Sequence, residues 1–338
     1  MKYITFAVPS YNSEDYLRRC VDTLLTGGKD VEIIIINDGS VDGTGAIADE
    51  YSMIYPDIVK VVHQENKGHG GAVNAGIDRA SGRYFKVVDS DDWLDEDALQ
   101  QILGQIKYWE AENTEVDLIV SNYIYDHLYE NKQHTVRYRN VFNHGIICGW
   151  NDIGNFNPSQ YLIMHALMYN TRILRTSGIV LPQHTFYVDN LFACQPLPYV
   201  ERICYLDVDL YHYFLGREDQ SVNESVMMKR IDQQLKVTKM LFDVTDMDAV
   251  KYPRLASYLV RNISIMMAIS SIHLLLIGTP EALEKRKNLW EYIRFLNRDL
   301  YVKLRYQTVS GLTYLPGKIG MAATVTGYQA AKKIIKFQ

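Results

Sequence analysis

Cysteine is scarce: Cys20, Cys148, Cys194 and Cys204 are the only four in 338 residues, and no two form a Cys-x-x-Cys pair. That pattern excludes a zinc ribbon and a disulfide framework, and a reducing cytoplasm is the expected setting. There is no excess of positive charge, since the formal net charge is −5, so nucleic acid is not an expected partner. No signal-peptide pattern precedes Tyr3-Ile4-Thr5-Phe6, which reads directly as a strand. The most apolar stretch, 263–277, is shorter than the ~20 residues of a spanning helix. It also carries Ser264, Ser270, Ser271 and His273, so a buried helix is expected there. Neither a dinucleotide fingerprint nor a P-loop is present: after Gly68-His69-Gly70-Gly71, position 73 is Val and no Gly-Lys-Ser/Thr follows. A dehydrogenase and a P-loop kinase are therefore disfavoured. Internal repeats and low-complexity segments are missing as well.

What is present is an apolar chain, 47% hydrophobic and long enough for two domains or one large α/β domain with an appendage. Residues 3–9, 31–36, 58–63 and 84–88 read as buried strands, and the segments between them carry helical periodicity. Ser13 is placed to cap the first helix. Such alternation implies a doubly wound, parallel α/β sheet with right-handed crossovers. Each strand ends in polar residues: Pro9-Ser10-Tyr11-Asn12, Asn37-Asp38-Gly39-Ser40, Glu65-Asn66-Lys67-Gly68 and Asp89-Ser90-Asp91-Asp92. Ligands of open α/β sheets bind at this carboxyl edge. Three carboxylates within four residues repel one another unless a cation lies among them, and Asp-x-Asp offers Mg²⁺ or Mn²⁺ hard ligands with positions left open. The plainer reading is an acidic loop ahead of a helix starting near Asp95. The glycine run 68–71 likewise has two readings, an anion-binding loop or a surface turn.

Taken together, Val8-Pro9-Ser10-Tyr11-Asn12, then 36–44, then Asn66-Lys67-Gly68 through Asn74-Ala75-Gly76, then Asp89-Ser90-Asp91-Asp92 resemble, in order, the motifs of family 2 glycosyltransferases. The match is sharp over residues 4–93 and weakens beyond about 221. The resemblance implies a GT-A fold, a mostly parallel Rossmann-like sheet flanked by helices. It implies an inverting transfer from a nucleotide-sugar donor to a glycan or lipid-linked acceptor. Pro9, Tyr11 and Asn12 would meet the nucleobase, with Asp38 accepting from the uracil N–H. Asn66, Gly71 and Asn74 would line the ribose and diphosphate. Asp89 and Asp91 would hold Mn²⁺ or Mg²⁺, with Ser90 and Asp92 on the donor side. The family's acidic pair near the base is reduced here to Asp189, because Val188 stands where Glu is usual. Asp189 is the expected base, against the alternative of a helix N-cap. His212 is the expected third metal ligand and Arg217 the clamp on the diphosphate, while His165 and His184 are further candidates near the sugars. A metal-dependent sugar nucleotidyltransferase and a non-catalytic glycan-binding protein are the competing readings. The first lacks its basic N-terminal loop, and intact Asp89, Asp91 and Asp189 speak against the second.

After Val226 the pattern turns helical, which places a catalytic domain at 1–222 and a helical domain at 223–338. No Asp or Glu occurs from Leu300 onward, whereas Lys303, Arg305, Lys318, Lys332, Lys333 and Lys336 add positive charge. Two alternatives stay open for this tail: peripheral contact with the inner face of the plasma membrane, or a last helix packed on its domain.

Overall fold

The structure is a computed structural model, which describes residues 1–127, 132–158, 160–216, 224–243 and 250–335. The chain divides into two compact units, Met1–Arg217 and Glu218–Gln338.

The first unit is built on β1 (Ile4–Ser10), α1 (Leu17–Leu25), β2 (Val31–Asp38), α2 (Thr44–Ile54), β3 (Val59–Gln64), α3 (Gly68–Arg79) and β4 (Tyr84–Val87). Every residue of β1, β2 and β4 is buried, as strands covered on both faces must be. These four strands pair in parallel in the order β3-β2-β1-β4. Ahead of α1, Ser13 does not cap with its side chain: its carbonyl accepts from Tyr16 and Leu17, and its hydroxyl pairs with Ser90 at 2.7 Å.

Beyond β4 the sheet departs from the expected parallel winding. The following elements are β5 (Trp93–Leu94), α4 (Glu96–Ala111), β6 (Leu118–His127), β7 (Lys132–Val136), β8 (Ile147–Cys148), β9 (Leu167–Asn170), α5 (Thr171–Thr176), α6 (Asp189–Cys194) and β10 (Ile203–Phe214). β9 lies antiparallel between β4 and β6, and β10 then runs parallel to β6. The result is a mixed α/β sheet flanked by helices. Asp95 caps α4 by accepting from the Ala98 amide.

One polar network sits inside this sheet. Glu32, buried in β2, accepts from Thr5 at 2.6 Å, from Lys60 at 2.5 Å, and from both the amide and hydroxyl of Ser81 at 2.8 Å. A buried carboxylate is tolerated because all of these donors meet it.

The second unit is helical: α7 (Glu224–Lys229), α8 (Ile231–Asp243), α9 (Pro253–Ile277), α10 (Pro280–Leu296), α11 (Arg298–Tyr306), α12 (Val309–Leu312) and α13 (Gly317–Ile335). α9 spans 25 residues, and it is long and apolar enough to cross a membrane. Yet 56% of its most apolar window is buried within the protein. α9 is the helix against which α8, α10, α12 and α13 pack. Several of its buried polar groups are bonded to neighbours, Ser270 with Thr238, Ser271 with Trp290 and His273 with Gln234, whereas Asn262 Oδ1 is not.

Candidate active site

The parallel register brings the carboxyl ends of β1, β2 and β4 level, with Ser10 beside Asn37 and Ala7 beside Val87. Chain reversal after β4 is a tight turn in which the Asp92 amide donates to the Asp89 carbonyl at 3.0 Å. An open cavity of about 220 Å³ forms there, lined by Pro9, Tyr11, Asn12, Ser13, His69, Asp89, Ser90 and Asp91. Tyr11 is 53% exposed at its mouth. Asn12, at a positive φ of 48°, bridges to the loop after β2: its amide donates to Ser40, and its side chain accepts from the Val41 amide. Asp38 is buried at the end of β2, where one oxygen accepts from Gln64 at 2.6 Å and from the Lys67 amide at 2.8 Å. Asn66 is exposed and accepts from the Gly68 amide.

Asp89 and Asp92 are held differently. Asp89 is bound by His69, whose Nε2 lies 2.8 Å from its carboxylate. Burial opposes a charge on His69, but Asp89, Asp189 and Asp38 outweigh it and raise the His69 pKa. Asp92 is fully buried and accepts from the Tyr211 hydroxyl at 2.5 Å and the Phe214 amide at 2.8 Å. Burial, together with the charges of Asp91 and Asp89, pushes its pKa well above the usual carboxylate range. Asp92 thus anchors the acidic turn to β10.

His165 comes close to both acids. Ligand atoms of Asp89, Asp92 and His165 all lie within 4.8 Å of one another. Its ring stacks on Tyr211, with centroids 4.6 Å apart, and its buried Nδ1 has no hydrogen-bond partner. Burial pushes its pKa down to about 4, so the imidazole is neutral at physiological pH. An orphaned imidazole nitrogen among carboxylates is a donor set that fits a divalent cation such as Mn²⁺ or Mg²⁺.

Not every expected residue joins this cluster. His212 lies outside the Asp89, Asp92 and His165 cluster. Side chains alternate along a strand, so Tyr211 and Tyr213 reach His165 while His212 leaves on the other face. There its Nδ1 meets Asp126 at 3.1 Å and its ring stacks on Trp93. Asn74 does not reach into the cavity, because its amide makes both bonds of a clamp on Leu181, at 2.8 and 2.9 Å. Gly71 is buried in α3, and the whole run 68–71 is the first turn of that helix, not a loop. Its glycines permit close approach: a Cβ on Gly70 would lie 2.4 Å from the Pro182 carbonyl oxygen. His184 contributes its backbone there, donating to the Lys67 carbonyl. Arg217 lies outside the described residues.

Asp189 is the first residue of α6, whose N-cap position is Val188, with no side-chain cap bond. Its carboxylate still meets the start of the helix, with Asn190 Nδ2 3.4 Å from Oδ1. Asp189 is half-buried within electrostatic reach of His69 and Asp89, and burial raises its pKa. Lys86, fully buried in β4, donates to the His165 carbonyl at 2.6 Å and is pushed down to about 7 by burial. The sequence gave His69 and Lys86 no distinguishing mark beyond a place in a glycine run and in an apolar strand.

The family model for glycosyl transferase family 2 matches residues 5–176. The chain belongs to glycosyltransferase family 2. Among curated relatives, glycosyltransferase GlyA of Streptococcus pneumoniae is 40% identical over 121 residues, which is 36% of this chain and 16% of GlyA. The putative glycosyltransferase EpsH of Bacillus subtilis is also 40% identical over 121 residues, covering 36% of this chain and 33% of EpsH. The matched segment thus spans a third or less of either relative. In fold, this family 2 chain is similar to S. aureus TarS 1–349 in complex with UDP-GlcNAc, with a TM-score of 0.66 at 16% identity over 98% of this chain and 92% of TarS 1–349. It is also similar to the mannosyltransferase PcManGT of Pyrobaculum calidifontis in complex with GDP-Man and Mn²⁺, with a TM-score of 0.51 at 12% identity over 97% of this chain and 80% of that one. These likenesses give the first unit a GT-A fold.

Proposed function

We propose that the chain is an inverting glycosyltransferase. It moves a sugar from a nucleotide diphosphate, UDP-linked, to a hydroxyl of a glycan, lipid-linked saccharide or wall polymer. The observation that carries this reading is the meeting of the Asp89–Asp92 turn, the open cavity and Asp189 at one sheet edge. Family membership and the UDP-GlcNAc bound to the TarS structure support it.

In this reading Pro9 and Tyr11 border the nucleobase, and Asp38 accepts from the uracil imide nitrogen. Asp89, Asp91, Asp92 and His165 are the residues that would hold Mn²⁺ or Mg²⁺. When bound, the cation neutralises the departing diphosphate. Asp189 takes the acceptor's proton as its oxygen attacks the anomeric carbon from the side opposite the diphosphate. A carboxylate with a raised pKa is the stronger base for that step. The four thiols, all unpaired, suit a cytoplasmic setting.

The test is incubation of the protein with UDP-Glc, UDP-Gal, UDP-GlcNAc and UDP-GalNAc in the presence of Mn²⁺. One donor should release UDP slowly and raise the melting temperature, since ligand at 100 times its Kd adds about 2.7 kcal/mol of stability. Asp91→Asn should abolish the Mn²⁺-dependent part of UDP binding by calorimetry and leave the fold intact. Binding without UDP release for any donor or acceptor would point to a glycan-binding protein instead.

A further inference from the structure

The helical unit buries Trp290, Ile293, Leu300 and Leu304, yet it leaves seven large apolar side chains exposed between Phe295 and Ile319. Phe295 is 93% exposed and Ile319 88%, with Tyr306, Val309 and Leu312 also exposed. Single exposed apolar residues are ordinary, but a run of them at successive helix ends is not. On α11, Leu300 and Leu304 face inward one turn apart, which turns Val302 and Tyr306 outward. On α12, Ser310 and Gly311 are buried, and Val309 and Leu312 face out.

The charge around these residues is mostly positive, with Asp299 the one acid between Arg294 and Ile319. Arg294, Arg298, Lys303 and Lys318 are exposed and form no ion pair among the described residues. Other lysines of the same unit do find acids: Lys285 meets Asp232 and Glu281, Lys287 meets Glu291, and Lys332 meets Glu224. Asp299 is the last acidic residue of the chain, so nothing from 300 onward can neutralise the patch.

We propose that this surface, from the end of α10 to the first turn of α13, docks on an anionic lipid bilayer. Protruding aromatic and aliphatic side chains enter the boundary between headgroups and acyl chains, and the unpaired cations meet lipid phosphates. Phe295 and Ile319 are almost wholly exposed, which suits insertion into a fluid interface. A second copy is disfavoured because a symmetric contact would oppose the same uncompensated cations. The docking surface is thus internal to the helical unit and does not require the final residues 336–338.

Cosedimentation of the full chain with vesicles tests this, using equal parts phosphatidylglycerol and phosphatidylcholine against phosphatidylcholine alone. The chain should bind the anionic vesicles, and binding should weaken in about 0.5 M NaCl as surface charge is screened. Phe295→Ser with Ile319→Ser, and separately Lys303→Gln with Lys318→Gln, should each lower partition by about tenfold or more. Both double variants should keep the wild-type melting temperature and UDP-sugar turnover, and Lys303→Arg with Lys318→Arg should keep binding. Negligible wild-type binding, or binding that neither pair of substitutions reduces, would overturn the proposal. So would a wild-type dimer in light scattering that both double variants dissociate, which would assign the surface to a second copy.

Discussion

Asp189 heads α6, where Asn190 Nδ2 lies 3.4 Å from its carboxylate, and its raised pKa comes from burial and the charge of Asp89. The amide of Asp189→Asn keeps the shape of the side chain, so the fold should tolerate it. General-base catalysis contributes ~10²–10⁴-fold, so Asp189→Asn should lose about that factor in kcat with donor affinity retained. Steady-state kinetics together with a UDP titration separate the two quantities. A variant that melted early but turned over normally would identify a structural role instead. Asp92 is the opposite case, since its two oxygens are bonded to Tyr211 and Phe214 and hold the acidic turn on β10.

α3 and α4 give their glycines different work. In α3, Gly70 sits against the Pro182 backbone and Gly76 against Ala7, so added methyl groups have nowhere to go. In α4, nothing lies within 4 Å of a Cβ built on Gly104. Gly104→Ala should therefore stabilise the protein by roughly 0.5–1 kcal/mol, the helix-propensity difference, whereas Gly70→Ala should cost about 2 kcal/mol through overpacking. Denaturant midpoints of the two variants, shifted in opposite directions, check this. β2 carries a pH-sensitive group in Glu32. Burial opposes its charge, but hydrogen bonds from Lys60, Thr5 and Ser81 prevail and lower its pKa below the ordinary value of 4.5. The unfolded chain then binds the extra proton first, so this stabilisation is present above about pH 4.5 and is lost as pH falls through the folded pKa. Glu32→Ala should cost about 3 kcal/mol at neutral pH by stranding buried donors, and should flatten the acid limb of a stability profile.

At the scale of the molecule, the two units take different kinds of core, a mixed sheet in one and helices around α9 in the other. Part of the basic tail packs: α13 buries Thr324, whose hydroxyl donates to the Leu312 and Gly320 carbonyls, and lies on α9. Deleting 317–338 should uncover α9 and lower the melting temperature of the helical unit by at least about 4 °C, read by calorimetry. An unchanged melting curve would show that α13 adds nothing to that core.

The four apolar strands, their order of ending in polar residues and the Asp89–Asp92 turn were legible because strand burial and carboxyl-end polarity are local patterns. The helices between those strands were legible too, apart from the first turn of α3, where glycines suggested a loop, whereas the break at Asn297 between α10 and α11 was not. Gly68 and Gly70 answer to His184 and Pro182, and no local pattern reports a neighbour more than a hundred residues away. The choice between His165 and His212 was of the same kind. Strand alternation on β10 fixes which side chains face the acidic turn, but that face is defined only once β10 pairs with β5 and β6. The antiparallel insertion of β9 likewise depends on which edge of β4 was left open. Sequence determined what each segment could form and which chemistry it carried; long-range packing decided which side chains met.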